Sequence, residues 1–355
     1  MLCVGTLLLF GAGCLGGTGQ TATGPDGGVF RTKTDVFAAK VDVVEWKQLK
    51  LLNLGTKLEA NGLAAVGTVT AAFDPQDPLT IYLGTVQDGL FYTGDGGDSW
   101  QRAKGLSVGR VQAIAIDQTS RCVLYVGRAN QIFKTETCGR EWNQVFFDGR
   151  VDKTFTALAV DPKNGSVVYA GTSDGDLFRS DNAGATWRAT YRVAGIRIMN
   201  LVVDPRDSAV VYAASWGSGV LKSTDGGGSW VSIRKPFQDF DKARFPRAVV
   251  LDPNVANRVY HISRFGILRS DDAGVTWTPL TIASPNNTLD VRAMAVYPKD
   301  PKKLTYSTNT SIAFSYDGGV TWTNRKLPTS RGASFMAFDG AEKPSLFIGA
   351  LPIPD

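Results

Sequence analysis

Ser270-Asp271-Asp272-Ala273-Gly274-Val275-Thr276-Trp277 is one of five close copies of an eight-residue pattern in a chain of 355 residues. The others span Thr93–Trp100 (TGDGGDSW), Ser180–Trp187 (SDNAGATW), Ser223–Trp230 (STDGGGSW) and Ser315–Trp322 (SYDGGVTW). A sixth, eroded copy, Thr135–Trp142 (TETCGREW), fills the gap that the spacing leaves. Trp100, Trp142, Trp187, Trp230, Trp277 and Trp322 follow one another at intervals of 42, 45, 43, 47 and 45 residues. A period in that range marks a repeat architecture.

Working outward from the motif, each unit carries four short apolar runs bounded by Asp-Pro, Asp-Gly and Gly turns. In the third unit they are Thr156–Asp161, Val167–Gly171, Asp176–Ser180 and Thr186–Thr190. Runs this short, with alternating or continuous apolar residues, read as strands. Four antiparallel strands per repeat, arranged radially, make a β-propeller blade. Six units are complete. Ser334–Leu351 supplies two strands of a seventh, and Val43–Leu49, with Trp46, reads as the outer strand that completes it. The expected fold is therefore all-β: a seven-bladed propeller of four-stranded antiparallel blades. Its ring is closed by N- and C-terminal strands, which removes the open edges of a linear array.

The motif has a structural job in this reading. It lies in the turn between the third and outer strands. There Asp95, Asn182, Asp225, Asp272 and Asp317 accept hydrogen bonds from their own turn. The glycine supplies a positive φ, and the tryptophan packs between blades. One such turn per blade, spread round the rim, cannot converge on a substrate. The eroded copy has Thr137 in place of the aspartate, and a disulfide is expected to replace the lost clamp. With the turn at Ala129-Asn130, hairpin pairing brings Cys122 beside Cys138. Buried free thiols are the alternative.

The pattern resembles the Asp-box (BNR) repeat of sialidases, sortilin-type receptors, xyloglucanase-type glycoside hydrolases and photosystem II assembly-factor propellers. The resemblance covers residues 40–355. Phrases such as Val160-Asp161-Pro162 and Tyr169-Ala170-Gly171-Thr172 are most similar to the last three groups. What the sialidase resemblance implies is weak here, because no Arg-Ile-Pro occurs in the chain and that family has six blades. Xyloglucanase-type enzymes set two carboxylates across a cleft between tandem propellers, and this chain has length for one. Asp88, Asp174, Asp176 and Asp239 read as turn residues rather than catalytic acids. Similarity to the assembly factors implies a lipidated, exported scaffold with an arginine-rich surface.

The remaining composition narrows the function classes. A net charge of +5 is too small an excess to imply nucleic-acid binding. A single histidine, His261, argues against His-based metal sites and Ser-His-Asp triads. No cofactor or metal is expected, and the chain is expected to be a monomer. Residues 1–14 read as an export signal whose apolar stretch ends in Gly11-Ala12-Gly13-Cys14. This end resembles a lipobox, with Cys14 as the lipidated residue and the protein held at the bacterial membrane, in the periplasm or on the cell surface. Plain secretion and an uncleaved anchor remain as alternatives. Residues 15–39 are expected to form a flexible tether, with the propeller spanning 40–355.

Strand alternation sorts the turns onto two faces. The motif and Asp-Pro turns share one. The blade-to-blade loops and the loops between second and third strands share the other, which collects basic residues. Arg110, Arg197, Arg247 and Arg292 lie at or just before innermost strands and are expected to ring the channel mouth, where arginine suits capture of carboxylates or phosphates. Trp216 is outside the repeat pattern and sits on this basic face, with Arg264 and Phe265 in the next blade. The 47-residue interval holds an insertion, Lys235–Pro246, that adds Phe237, Phe240 and Phe245. The expected function is non-catalytic binding, through this face, of a protein partner such as an envelope complex, or of an anionic ligand. A carbohydrate-binding or glycoside-hydrolysing propeller is the alternative.

Overall fold

The computed structural model describes residues 27–33, 35–37, 44–49, 67–282 and 290–351. Seven four-stranded antiparallel sheets account for all the strands among them. Blade 3 runs Phe155–Asp161, Asn164–Thr172, Asp176–Ser180 and Arg188–Arg192, paired in that order from the inside outward. Blades 1, 2, 4, 5 and 6 repeat the pattern from innermost strands at Thr68–Phe73, Val111–Ile116, Arg197–Val203, Pro246–Leu251 and Ala293–Val296. Each innermost strand contacts the next, and that of blade 7, Gly332–Phe338, contacts that of blade 1, so the ring closes.

The closing blade corrects the expected tether. Its sheet order is Gly332–Phe338, Leu346–Leu351, Gly28–Thr32 and Trp46–Leu49. The outer strand is where the sequence placed it. The third strand, however, comes from residues 28–32, which the glycine-rich composition had assigned to a linker. The reason is burial: Val29 and Phe30 are 2% and 4% exposed, and without this strand Leu346–Leu351 would have an open edge. Val36 and Phe37 are buried too, with Phe37 edge-on to Tyr297, Phe314 and Tyr316. The propeller thus starts before residue 40. The export signal, Cys14 and the tether up to residue 26 lie outside the described residues.

Two side chains per blade hold neighbours together. A second-strand tyrosine, at 82, 125, 169, 212, 260 or 306, is almost fully buried in six blades. Tyr169 donates to the carbonyl of Gly226 at 2.9 Å and Tyr212 to that of Ala273 at 3.0 Å, each acceptor lying in the next blade's motif turn. The motif tryptophans pack between blades, Trp100 against Leu49 and Phe347 of blade 7 and Trp187 stacked on Phe146 of blade 2. Trp142, Trp230 and Trp322 are half-buried in the same role, and Trp277 is buried. Burying aromatic surface between otherwise separate sheets is what makes a ring of repeats cohere.

The motif turn has the expected internal bonding. Asp272 accepts from the backbone N–H of Thr276 at 2.9 Å and from its hydroxyl at 2.6 Å, while the Ser270 hydroxyl accepts from Gly274 N–H at 2.7 Å. Asp95, Asn182, Asp225 and Asp317 repeat the backbone contact. The glycine that follows has φ of +94°, +88°, +79°, +89° and +91° at residues 97, 184, 227, 274 and 319. Hydrogen bonds from Thr276 hold the Asp272 carboxyl at about 2, below its ordinary range.

In the eroded turn the clamp is kept rather than lost. The hydroxyl of Thr137 accepts from Glu141 N–H at 2.9 Å, the bond the aspartate makes elsewhere. A disulfide joins Cys122 and Cys138 beside it. The bridge supplements the turn and does not replace it, because one hydroxyl oxygen suffices for the backbone half of the clamp.

Candidate functional site

Antiparallel pairing places the loops between second and third strands at one end of the ring, with the blade-to-blade loops. This is the face the sequence marks as basic. Two groups of side chains occupy it: arginines at the channel mouth, and a cluster over blades 4 and 5.

At the mouth, Arg197 begins the innermost strand of blade 4 and reaches Gln112 on the innermost strand of blade 2, with Nη2 3.1 Å from Oε1. That bond skips blade 3, so the guanidinium lies across the channel. Burial, then the charge of exposed Arg110, lowers the Arg197 pKa from its ordinary value. On the next two blades, Arg247 and Arg292 converge on Asp290. Arg247 makes a bidentate contact at 2.6 and 2.5 Å through Nη2, with Nε at 3.0 Å, and Arg292 adds Nη1 at 3.2 Å. Burial alone would raise the Asp290 carboxyl, but bonds and charge from the two arginines outweigh it and hold it low. Arg292 is lowered by burial first and by Arg247 next.

These pairings correct the picture of a freely basic face. Asp290 was missed, although Asp290-Val291-Arg292 leads into an innermost strand and its two charged residues share one side by simple alternation. Other basic residues of this face are engaged as well. Arg150 and Arg192 bind the buried carboxylate of Asp176, and Lys153 binds Asp174 at 2.5 Å. Asp174 and Asp176, two of the loop carboxylates weighed above, are therefore tied up in ion pairs. Asp88 has its pKa raised, mainly by burial, and Asp239 is exposed.

The second group has a different character. Arg244 lies over the ring of Phe245 at 4.8 Å, Phe245 meets Trp216 at 5.2 Å between centroids, and Arg264 lies over Trp216 at 5.1 Å. Cation, ring, ring and cation form one continuous ladder. Among the described residues, neither Arg244 nor Arg264 has a carboxylate partner, and both are exposed. Trp216 ends the second strand of blade 4, Arg264 opens the corresponding loop of blade 5, and Phe245 closes the insertion between them.

The insertion is pinned at three backbone points. Gly217 N–H donates to Arg244 O at 2.9 Å, Arg264 N–H to Phe245 O at 3.3 Å, and His261 Nε2 to Ala243 O at 2.7 Å. A short 3-10 turn, Lys235–Phe237, starts it with proline in its first turn. Its phenylalanines are not all on the surface. Phe237 is 4% exposed and stacks on His261 at 4.4 Å, with Trp277 at 5.2 Å. Phe265, placed on this face by the sequence, is half-buried, with the Phe240 ring 5.2 Å away. Packing wins here because burying a phenylalanine gains about 2–3 kcal/mol. The insertion shapes an open pocket of about 410 Å³.

No group of three potential metal-ligating side chains occurs among the described residues. No helix among them is long and apolar enough to cross a membrane.

No protein-family model matches the chain, and no curated protein matches it in sequence. Solved structures match in fold. A GH74 enzyme of Niastella koreensis aligns at a TM-score of 0.63 and 20% identity, over 80% of this chain and 51% of that one. A structure of YCF48 bound to D1 peptide aligns at 0.61 and 18%, over 82% and 94%. YCF48 from Cyanidioschyzon merolae aligns at 0.61 and 16%, over 85% and 98%. The chain is thus similar to propellers of both kinds, but it spans about half the length of the GH74 enzyme and nearly all of YCF48. Identities this low establish the fold and leave the site to be argued from its own residues.

Proposed function

We propose that the chain is a non-catalytic protein-binding scaffold that grips an extended, acidic segment of a partner across the blade 4–5 side of its basic face. The observation that carries this is the Arg244–Phe245–Trp216–Arg264 ladder. Tryptophan and arginine dominate the energetics of protein interfaces. Here two guanidiniums with no carboxylate partner among the described residues flank two rings, so carboxylates and apolar side chains of one segment find adjacent partners. Arg110 and Arg197 extend the positive field to the channel mouth, whereas Arg247 and Arg292 share Asp290, which offsets one of their two charges. The fold likeness to YCF48, which has been solved with a bound peptide, supports a peptide-binding use. Export and lipidation at Cys14, which would place this face at a membrane, belong to the same proposal.

The test is site-specific photocrosslinking in the native host. A crosslinker at Trp216 should yield one dominant protein adduct, and one at Val275, exposed on the motif face, should not. Trp216→Ala with Arg264→Ala should abolish the adduct formed from a crosslinker at Ser218. Equal labelling from both faces would overturn the reading. Release of sugar from polysaccharides, abolished by substituting one loop carboxylate, would establish the glycoside-hydrolase alternative instead.

A further inference from the structure

The cavity beside the insertion adjoins the ladder, sharing Arg244 and Phe245 with it, and its lining has an unusual charge balance. Arg234, Lys242 and Arg244 face Asp241 as the one carboxylate among its lining residues. Lys242 and Asp241 are 3.9 Å apart, a loose contact. Arg234 makes no ion pair among the described residues, in contrast to Arg150, Arg192, Arg247 and Arg292 on the same face. The walls are aromatic, from Phe240 and Phe245. Phe240 is fixed by Phe265 and Phe245 by Trp216.

The cup is pre-shaped. Its backbone is tied to blades 4 and 5 by the three bonds described above. Its floor, Phe237, fits only because Gly219 has no side chain: a Cβ there would lie 2.6 Å from the ring. Lys242 holds a φ of +64°, a left-handed conformation that is costly for a non-glycine residue. A loop that gathers three cations in a strained, pinned arrangement opposes its own charge, and an anion relieves that opposition. The volume of about 410 Å³ falls in the usual range for small-ligand sites.

We infer that this cavity is a binding site for a small soluble anion carried on an aromatic ring. Arg234, Lys242 and Arg244 take the carboxylate or phosphate, and Phe240 and Phe245 sandwich the ring. The site shares Arg244 and Phe245 with the ladder, but Arg234, Phe240 and Lys242 belong to the cavity alone, so substitutions at Arg234 and Phe240 separate this inference from the protein-binding reading.

Isothermal titration of the full chain with phenyl phosphate tests it, with inorganic phosphate as the charge-only arm and benzyl alcohol as the ring-only arm. Phenyl phosphate should bind one to one and at least tenfold more tightly than either. Arg234→Ala and Phe240→Ala should each weaken it tenfold or more. Both variants should retain the wild-type Trp216 crosslink, which shows that they fold and separates this site from the scaffold function. Absence of saturable binding would overturn the inference, as would inorganic phosphate binding equally well or indifference to both substitutions.

Discussion

The ring of His261 donates from Nε2 to the backbone carbonyl of Ala243, 2.7 Å away, and so fastens the second strand of blade 5 to the insertion above it. Its other nitrogen, Nδ1, is buried with no hydrogen-bond partner. The face of the ring is covered by Phe237, and the residue is fully buried. The chain's single histidine is thus a packing and anchoring residue, which its isolation in the sequence could not reveal.

This arrangement makes stability depend on pH in a defined window. Burial pulls the histidine from 6.5 to about 4, with the bond to Ala243 opposing it slightly. The unfolded chain accepts a proton below about pH 6.5, and the folded one does not until about pH 4. The contribution of neutral His261 is therefore complete above pH 6.5 and lost as pH falls toward 4, a change on the order of 3 kcal/mol. Urea unfolding of wild type and His261→Phe should show a stability gap at pH 7.5 that narrows by pH 4.5. A gap that stays constant would contradict this origin.

The motif aspartates are expected to be structural and replaceable by asparagine. Asn182 makes the same backbone contact as Asp272. Asp272→Asn should therefore cost less than about 0.5 kcal/mol, and Asp272→Ala about 1–2 kcal/mol, the usual range for losing such a turn clamp. Thermal unfolding of the two variants distinguishes the cases, and equal losses would refute the clamp.

The Cys122–Cys138 bridge closes a loop of 16 residues in sequence separation. Chain-entropy arguments give such a loop about 3 kcal/mol. Reduction, or Cys122→Ser with Cys138→Ser, should lower the midpoint of unfolding. The blade should still form, because Thr137 preserves the turn. Loss of the folded state on reduction would show that the bridge carries the blade alone.

Asp290 bridges two arginines at the channel mouth and offsets one of their two charges. Asp290→Asn should leave Arg247 and Arg292 uncompensated, destabilise the fold by about 1–3 kcal/mol, and strengthen binding of polyglutamate in a salt-sensitive way. Binding that is unchanged at low ionic strength would show that these arginines do not face the solvent of the channel.

The blade count, the motif turn and the location of the ring closure were legible in the sequence, because each rests on local chemistry repeated at a fixed period. Asx-type bonding at Asp95 or Asp317 involves residues four apart, and a positive φ at glycine involves one. The neighbourhood of Cys122 and Cys138 followed from hairpin register alone. The strand at Gly28–Thr32 was hidden, since its inner partner, Leu346–Leu351, lies more than 300 residues away and its flanks are rich in glycine.

The site divides in the same way. Sequence alone determined which loops share a face, since antiparallel strands reverse direction at every turn, and it placed Trp216, Arg264 and the insertion together at that end. Only the tertiary structure decided which of those cations remain available. Ion pairing depends on approach within a few ångströms between residues distant in the chain. Arg247 is matched by Asp290, 43 positions on, while Arg244 and Arg264 meet rings instead of carboxylates. It also decided that Phe237 turns inward onto His261, because a loop's aromatic residue goes where a hollow exists to bury it. That hollow is made by Gly219, Trp277 and His261, drawn from two blades.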